Sequence, residues 1–179
     1  MERDTAFEMA ASAIRFGTGI TAEVGMDLAD RGLRRILLVT DPNLAGREPV
    51  AVVRQSLDDA GVAYDIYSDV HVEPTDASFK DAIRVATEGG YEGYVAVGGG
   101  SSIDTAKAAN LYASHPPEDF LDYVNAPIGK GLPAPGPLKP LIAIPTTAGT
   151  GSETTGVAIF DLVEMKAKTG IAHRRLKPT

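Results

Sequence analysis

Residues 95–107 read VAVGGGSSIDTAK. A strand-like apolar run passes through three consecutive glycines and two serines into residues set at helical spacing. Adjacent glycines are a costly choice, because glycine loses more backbone freedom on ordering than any other residue. A chain keeps them where something must approach its backbone closely. The flanks decide what fold presents that backbone.

On both sides, short apolar runs alternate with longer amphipathic ones. RRILLVT (34–40) sets four apolar residues directly before the turn signal DPN and reads as a buried strand. PVAVVRQSLDDA (49–60) predicts a helix with proline at its start, closed by Gly61, and VAYDIYS (62–68) the next strand. Thr75 is placed to cap a helix over 76–90, which ends in a glycine pair. GYVAVGG (93–99) is a third strand, and SIDTAKAANLYAS (102–114) a third helix. Nearer the start, AIRF (13–16) reads as an opening strand and 21–31 as a helix with Thr21 as its N-cap.

This β-α-β-α-β-α series predicts an α/β fold: a parallel sheet with right-handed crossover helices on both faces. Ligands of such sheets collect at the carboxyl ends of the strands. Residues 115–140 hold seven prolines and three glycines and predict a loop, with EDFLDYV (118–124) forming one or two turns. LIAIP (141–145) is a further short strand, and 157–172 a hairpin or strand pair. HRRLKPT (173–179) reads as a basic, solvated run with no closing element.

With 179 residues, 44% of them apolar, the chain carries a real core and makes one domain, or one with a short extension. It has no cysteine, which excludes disulfides and thiolate metal sites and permits a reducing setting; a cytoplasmic location is the expectation. A net charge of −7 with scattered Lys and Arg argues against a nucleic-acid partner. No run reaches the roughly 18–20 apolar residues a bilayer span requires, so no membrane partner is expected. MERDTAFEMAASAIRF (1–16) carries early acids and no continuous apolar stretch, so no secretory signal is expected.

A strand, glycines, then a helix with Ser101 and Ser102 at its start form anion-binding geometry. The helix N-terminus offers unpaired N–H groups and partial positive charge, and bare backbone lets a pyrophosphate reach them. Asp104 is expected in the first turn, where its charge suits the helix dipole. A tight strand-to-helix turn with a capping serine explains the same residues without any ligand. The stretch is neither G-x-G-x-x-G, since Ile103 fills the third glycine position, nor a Walker A loop.

PTTAGTGSETT (145–155) follows another strand with a second run of hydroxyls and glycines. Two such loops at the carboxyl ends of parallel strands are able to face one ligand, although one hydroxyl-rich loop is commonly a solvated turn. Asp41, ending the first strong strand, is placed to accept from adenosine ribose hydroxyls, or simply to start the DPN turn. It precedes the glycine loop rather than following it, so the connectivity is not the standard dinucleotide one.

VTDPN, GGGSSIDTAK and IPTTAGTGSE, in this order, resemble the N-terminal half of the iron-containing (group III) alcohol dehydrogenase family. VEPTDASF, VNAPIGKG, LKPLIAIPTTAGTGSETTGVAIFD and KAKTGIAHRRLKPT are similar to its hydroxyacid-oxoacid transhydrogenase branch. The resemblance covers essentially the whole chain. It implies a Rossmann-like NAD-binding domain over 1–179, with the family's all-helical metal domain absent from this chain. Carried over by position, Asp41 would hold the adenosine ribose. Gly99, Gly100 and Ser101 would cradle the pyrophosphate, with Asp104 in the same motif. Thr146, Thr147 and Thr150 would line the cofactor from the opposing loop. Lys168, or Lys166 in its place, would reach the nicotinamide-side ribose. Glu73 stands where many relatives have asparagine.

The resemblance further implies metal-assisted hydride transfer, with Fe2+ or Zn2+ in the parent enzyme only, between NAD(H) and a small alcohol, hydroxyacid or oxoacid. In the transhydrogenase branch hydride passes from 4-hydroxybutyrate to 2-oxoglutarate. An ordinary NAD-dependent alcohol dehydrogenase of the same family and a non-catalytic nucleotide-binding module are the alternatives. Relatives often dimerise through the N-terminal strand, which SAIRFG (12–17) would supply. The histidines His71, His115 and His173 lack ligand spacing, so no metal site is assigned and the chain by itself is expected to be inactive.

Overall fold

The computed structural model describes residues 13–179. Its elements are α1 (Val24–Asp30), β1 (Arg35–Thr40), α2 (Glu48–Asp59), β2 (Ala63–Tyr67), α3 (Asp76–Gly89), β3 (Gly93–Gly98), α4 (Gly100–Ser114), β4 (Leu141–Pro145), β5 (Val157–Leu162) and β6 (Ala167–Ala172). The strands β1 to β4 form one parallel sheet in the order β2-β1-β3-β4. The strand order reverses between β1 and β3, and there neighbouring crossovers leave to opposite faces and open a crevice. Asp41 follows β1 and Gly98 ends β3, so both lie at this point.

Burial follows the strand alternation. Ile36, Leu38, Val95 and Val97 pack with Leu28, Val50, Val53 and Leu57 beneath α1 and α2. Leu37, Val39, Tyr94 and Ala96 pack on the other face with Ile103, Ala106 and Ala109 of α4. The opposite side of α4 presents Ala108, Leu111 and Tyr112 to Phe160, Ile171 and Leu176. The antiparallel β5–β6 hairpin thus forms a further layer outside α4. Buried on two sides, α4 has no polar stripe, and its alanines let sheet and hairpin both approach.

Local signals set most boundaries. Thr75 caps α3 with a reciprocal Ser78 box, and Gly90 ends it at φ 61°. Pro49 stands in the first turn of α2. The 115–140 segment contains only a short 3-10 turn, Phe120–Asp122.

Four expectations are corrected. Residues 13–16 form no strand: Ile14 is 70% and Phe16 100% exposed, and a strand needs a ladder partner that is missing there. Arg15 instead pairs with Glu23 and Asp27. Thr21 is not an N-cap; it lies inside a 3-10 turn, Ile20–Glu23, entered through Gly19 at φ 80°. Helix α4 starts at Gly100, two residues early, which moves Asp104 into the second turn. The run 173–179 does close: His173 Nδ1 accepts from Arg175 N, Arg175 donates to Ala134 O and Gly136 O, and Leu176 is buried. The signal reading of the first sixteen residues falls mostly outside the described residues, as does Ser12 of SAIRFG.

Candidate functional site

The three glycines have separate reasons. A Cβ on Gly98 would lie 2.2 Å from Ser102 Oγ and 3.6 Å from Asp41 Oδ2, and φ there is 155°. A Cβ on Gly99 would lie 3.1 Å from Thr147 Oγ1. One on Gly100 would meet Ser152 Oγ at 3.2 Å and Thr150 Cβ at 3.3 Å. What comes so close to this backbone is therefore, first, the hydroxyl loop after β4. The contact is tied by Thr146 N donating to Gly98 O at 3.0 Å. The two loops read from sequence do face each other, at the carboxyl ends of adjacent strands.

The walls nonetheless leave a donor set open. Helix α4 has no side-chain cap at Gly99, and its first N–H groups, at Gly100 and Ser101, precede the first intrahelical bonds, made by Ser102 N and Ile103 N to Gly99 O. Ser102 Oγ is buried beside Gly98 with no hydrogen-bond partner. Fifteen residues of helix aim their positive end at this point. Bare backbone, free N–H groups and an orphaned hydroxyl suit a phosphate group, so the residues present fit a nucleotide. Ser101 Oγ accepts from Glu73 N at 3.3 Å, and Glu73 holds φ 56°. Left-handed backbone is where asparagine is favoured, as the resemblance implies for that position.

Asp41 is divided between its two readings. Oδ1 accepts from Asn43 N at 2.9 Å and Leu44 N at 3.2 Å, holding the DPN turn. Oδ2 has neither bond and faces Gly98. Lys168 lies on the exposed side of the hairpin, with its ammonium 3.2 Å from Asp161 Oδ1 rather than at the glycine loop. Lys166 sits in the hairpin turn at φ 48°.

Asp104 is turned to the hairpin rather than to the three glycines, and its carboxylate also bonds the Ser152 hydroxyl. Asp104 is buried, and Oδ2 accepts from Ile159 N at 3.0 Å. Its Oδ1 lies 3.5 Å from Nζ of Lys107, which is fully buried and donates to Val157 O at 2.7 Å. Burial pushes the Asp104 carboxyl up and the Lys107 ammonium down, and each charge opposes the other's shift. The sequence sets Lys107 at helical spacing from Asp104 but gives it no role; the signal was a charged i,i+3 pair in an alanine-rich helix with no other charge.

Among the described residues, no group of three His, Asp or Glu side chains is placed to hold a metal ion. His71 is exposed, His115 Nε2 bonds Pro137 O, and His173 caps the closing turn. No described helix is long and apolar enough to cross a membrane.

Residues 11–179 match the family of iron-containing alcohol dehydrogenases. Mitochondrial hydroxyacid-oxoacid transhydrogenases are similar: that of Mus musculus is 62% identical over 176 residues, covering 98% of this chain and 38% of the relative. That of Homo sapiens is 60% identical with the same coverage. The chain thus spans 38% of the length of these curated relatives. Among solved structures, a 1,3-propanediol oxidoreductase superposes with a TM-score of 0.86 at 30% identity, covering 97% of this chain and 44% of that one. A sulfoacetaldehyde reductase from Bifidobacterium kashiwanohense in complex with NAD+ gives 0.83 at 26% identity, covering 98% and 45%. The relatives' names correct the cytoplasmic expectation, since they place those proteins in mitochondria. Lack of cysteine reports on thiol chemistry and does not separate the two compartments.

Proposed function

We propose a function from one premise: this chain belongs to the iron-containing alcohol dehydrogenase family. Residues 1–179 form its NAD-binding N-terminal α/β domain, and the cradle between the β3–α4 and β4–β5 loops takes the pyrophosphate of NAD(H). The observation that carries this is the meeting of Gly98–Gly100 with Thr146, Thr147, Thr150 and Ser152 over the uncapped N-terminus of α4.

In this reading the N–H groups of Gly100 and Ser101 donate to phosphate oxygens, and the helix dipole offsets their charge. Asp41 Oδ2 accepts from an adenosine ribose hydroxyl while Oδ1 keeps the turn in place. Thr146, Thr147 and Thr150 line the cofactor on the opposite wall, and Lys168 exchanges Asp161 for the far ribose. Bound NAD+ supplies a hydride acceptor.

The likeness to transhydrogenases favours a longer protein that moves hydride between a hydroxyacid and an oxoacid. Among the described residues no cluster fits a metal, and the chain spans 38% of its curated relatives, so in this reading turnover is a property of the longer protein. Exposed Ile14 and Phe16, beside the outer edge of β4, favour a homodimer. Calorimetric titration with NAD+ and ADP-ribose, alongside alcohol-oxidation assays with and without iron or zinc, tests the reading. Weak binding without turnover is expected. Turnover by the purified chain, or no binding of either ligand, overturns it.

A further inference from the structure

A two-stranded hairpin outside a sheet has two unpaired edges, and each bare N–H and C=O needs a partner. In the β5–β6 register Val157 faces Ala172, Ile159 faces Gly170 and Asp161 faces Lys168. His173 N donates to Gly156 O, which makes that position a bonded pair and turns the backbone groups of Val157, Ile159 and Asp161 outward. The outer edge of β6 is met by Asn125, whose N donates to Gly170 O and whose Oδ1 accepts from Ala172 N.

The outer edge of β5 is met mostly by side chains. Val157 O accepts from Lys107 Nζ at 2.7 Å, Ile159 N donates to Asp104 Oδ2 at 3.0 Å, and Asp161 N donates to Pro74 O at 2.7 Å. An ammonium has only donors and a carboxylate only acceptors. The pair therefore recognises a carbonyl followed two residues later by an N–H on the same edge. A one-residue slip would turn those groups toward β6 and leave the buried ammonium and carboxylate without their backbone partners, with only each other at 3.5 Å.

We infer that Asp104 and Lys107 act as a surrogate strand that locks the register of the hairpin against α4, and so position Lys168 relative to the glycine cradle. The inference rests on the nucleotide reading for its second half only. The two charges are positioning residues: both hold the hairpin, and Asp104 also bonds the Ser152 hydroxyl at the outer wall of the cradle. The same lock fixes the Glu73–Thr75 turn, which lies between Asp161 of the hairpin and Ser101 of α4.

Lys107→Met keeps the length and apolar bulk of the stem while removing the donors, and Asp104→Asn keeps an acceptor for Ile159 N while removing the charge. Each is made in the full chain and followed by amide hydrogen exchange and by titration with AMP and NAD+. In Lys107→Met, exchange at Ile159 and Asp161 is expected to rise about tenfold or more, as the loss of a charged hydrogen bond implies, while Leu37, Leu38 and Val95 stay protected. NAD+ affinity falls about tenfold, and AMP, which lacks the far ribose, binds as before. Asp104→Asn shows the same pattern more weakly and serves if Lys107→Met does not fold. Unchanged Ile159 exchange in both variants overturns the lock. Equal losses for AMP and NAD+ overturn the positioning role and leave general destabilisation. If the unmodified chain binds neither nucleotide, the nucleotide reading falls, and Ile159 exchange alone decides the lock.

Discussion

Substituting alanine separately at Gly98 and Gly99 divides folding from binding within one turn. At Gly98 the new methyl would sit 2.2 Å from Ser102 Oγ and 2.7 Å from Ser102 Cβ, on backbone at φ 155°. Both atoms belong to the first turn of α4, which is packed on two sides and cannot withdraw. Overpacking costs about 1–3 kcal/mol, and an unfavourable backbone region about as much again. A loss on the order of 2–6 kcal/mol is large against a typical domain stability of about 5–15 kcal/mol. At Gly99 the backbone is ordinary, φ −78°, and the methyl would meet Thr147 Oγ1 at 3.1 Å and its Cβ at an ordinary 3.6 Å. Gly99→Ala should stay within about 1 kcal/mol of the unmodified chain, because a surface hydroxyl is able to rotate away. Its methyl would stand in the cradle, and nucleotide affinity should drop about tenfold or more, roughly 1.4 kcal/mol. Urea unfolding and calorimetric titration of both variants decide the matter. Adding Ser102→Gly to Gly98→Ala should recover part of the loss, since the two substitutions share one clash. Gly98→Ala with unaltered stability, or Gly99→Ala with unaltered nucleotide affinity, would refute the reasoning.

Asp41→Asn keeps the acceptor that holds Asn43 N and Leu44 N but removes the charge facing Gly98. The unmodified chain should prefer NAD over NADP, because a 2′-phosphate at roughly 5 Å meets repulsion on the order of 2–6 kcal/mol before screening. The variant should lose most of that discrimination at unchanged stability, as competitive titration would show. Burial, with Arg175 and Arg174 adding to it, holds His173 below its ordinary value. The proton then binds the unfolded chain more readily, so the stability this residue supplies is full above about pH 7 and declines as pH falls through about 6.5. His173→Asn retains a cap acceptor and should flatten that part of the urea-midpoint profile; an identical slope in both proteins would reject the assignment. The chain should also self-associate through Ile14, Phe16 and the outer edge of β4, where Thr179 N already bonds Leu141 O. Light scattering should show mass rising with concentration, and less so for Phe16→Ser; a monomer at every concentration would contradict this.

Sequence carried the architecture because the central parallel strands β1 and β3 are buried on both faces and each crossover is punctuated. RILLVT, the Thr75 cap and the Gly61 and Gly90 stops are local signals that tertiary packing had no reason to override. The meeting of the two loops was legible for a similar reason, since consecutive glycines and clustered hydroxyls need a structural cause. The failures share another origin. AIRF has strand composition, but strand formation depends on a neighbour that no local pattern reports. The start of α4 was missed because glycines at a helix N-terminus weaken the periodic signal, and that shift carried Asp104 into the second turn. The role of Lys107 was invisible because a lysine on a helix ordinarily points to solvent. Only the hairpin layer, folded back from fifty residues downstream, buries this one.

Amide NMR spectra of the isotope-labelled chain, recorded with increasing ADP-ribose, locate the binding site without requiring turnover. Saturable shifts should concentrate at Gly99, Gly100 and Ser101, at Thr146 to Thr150, and at Asn43 and Leu44 beside Asp41. Phosphate at the N-terminus of α4 should move the Gly100 and Ser101 amides most. A spectrum that stays unchanged at millimolar ligand, or shifts confined to the groove beside β4 and Phe16, would contradict a nucleotide cradle between the β3–α4 and β4–β5 loops.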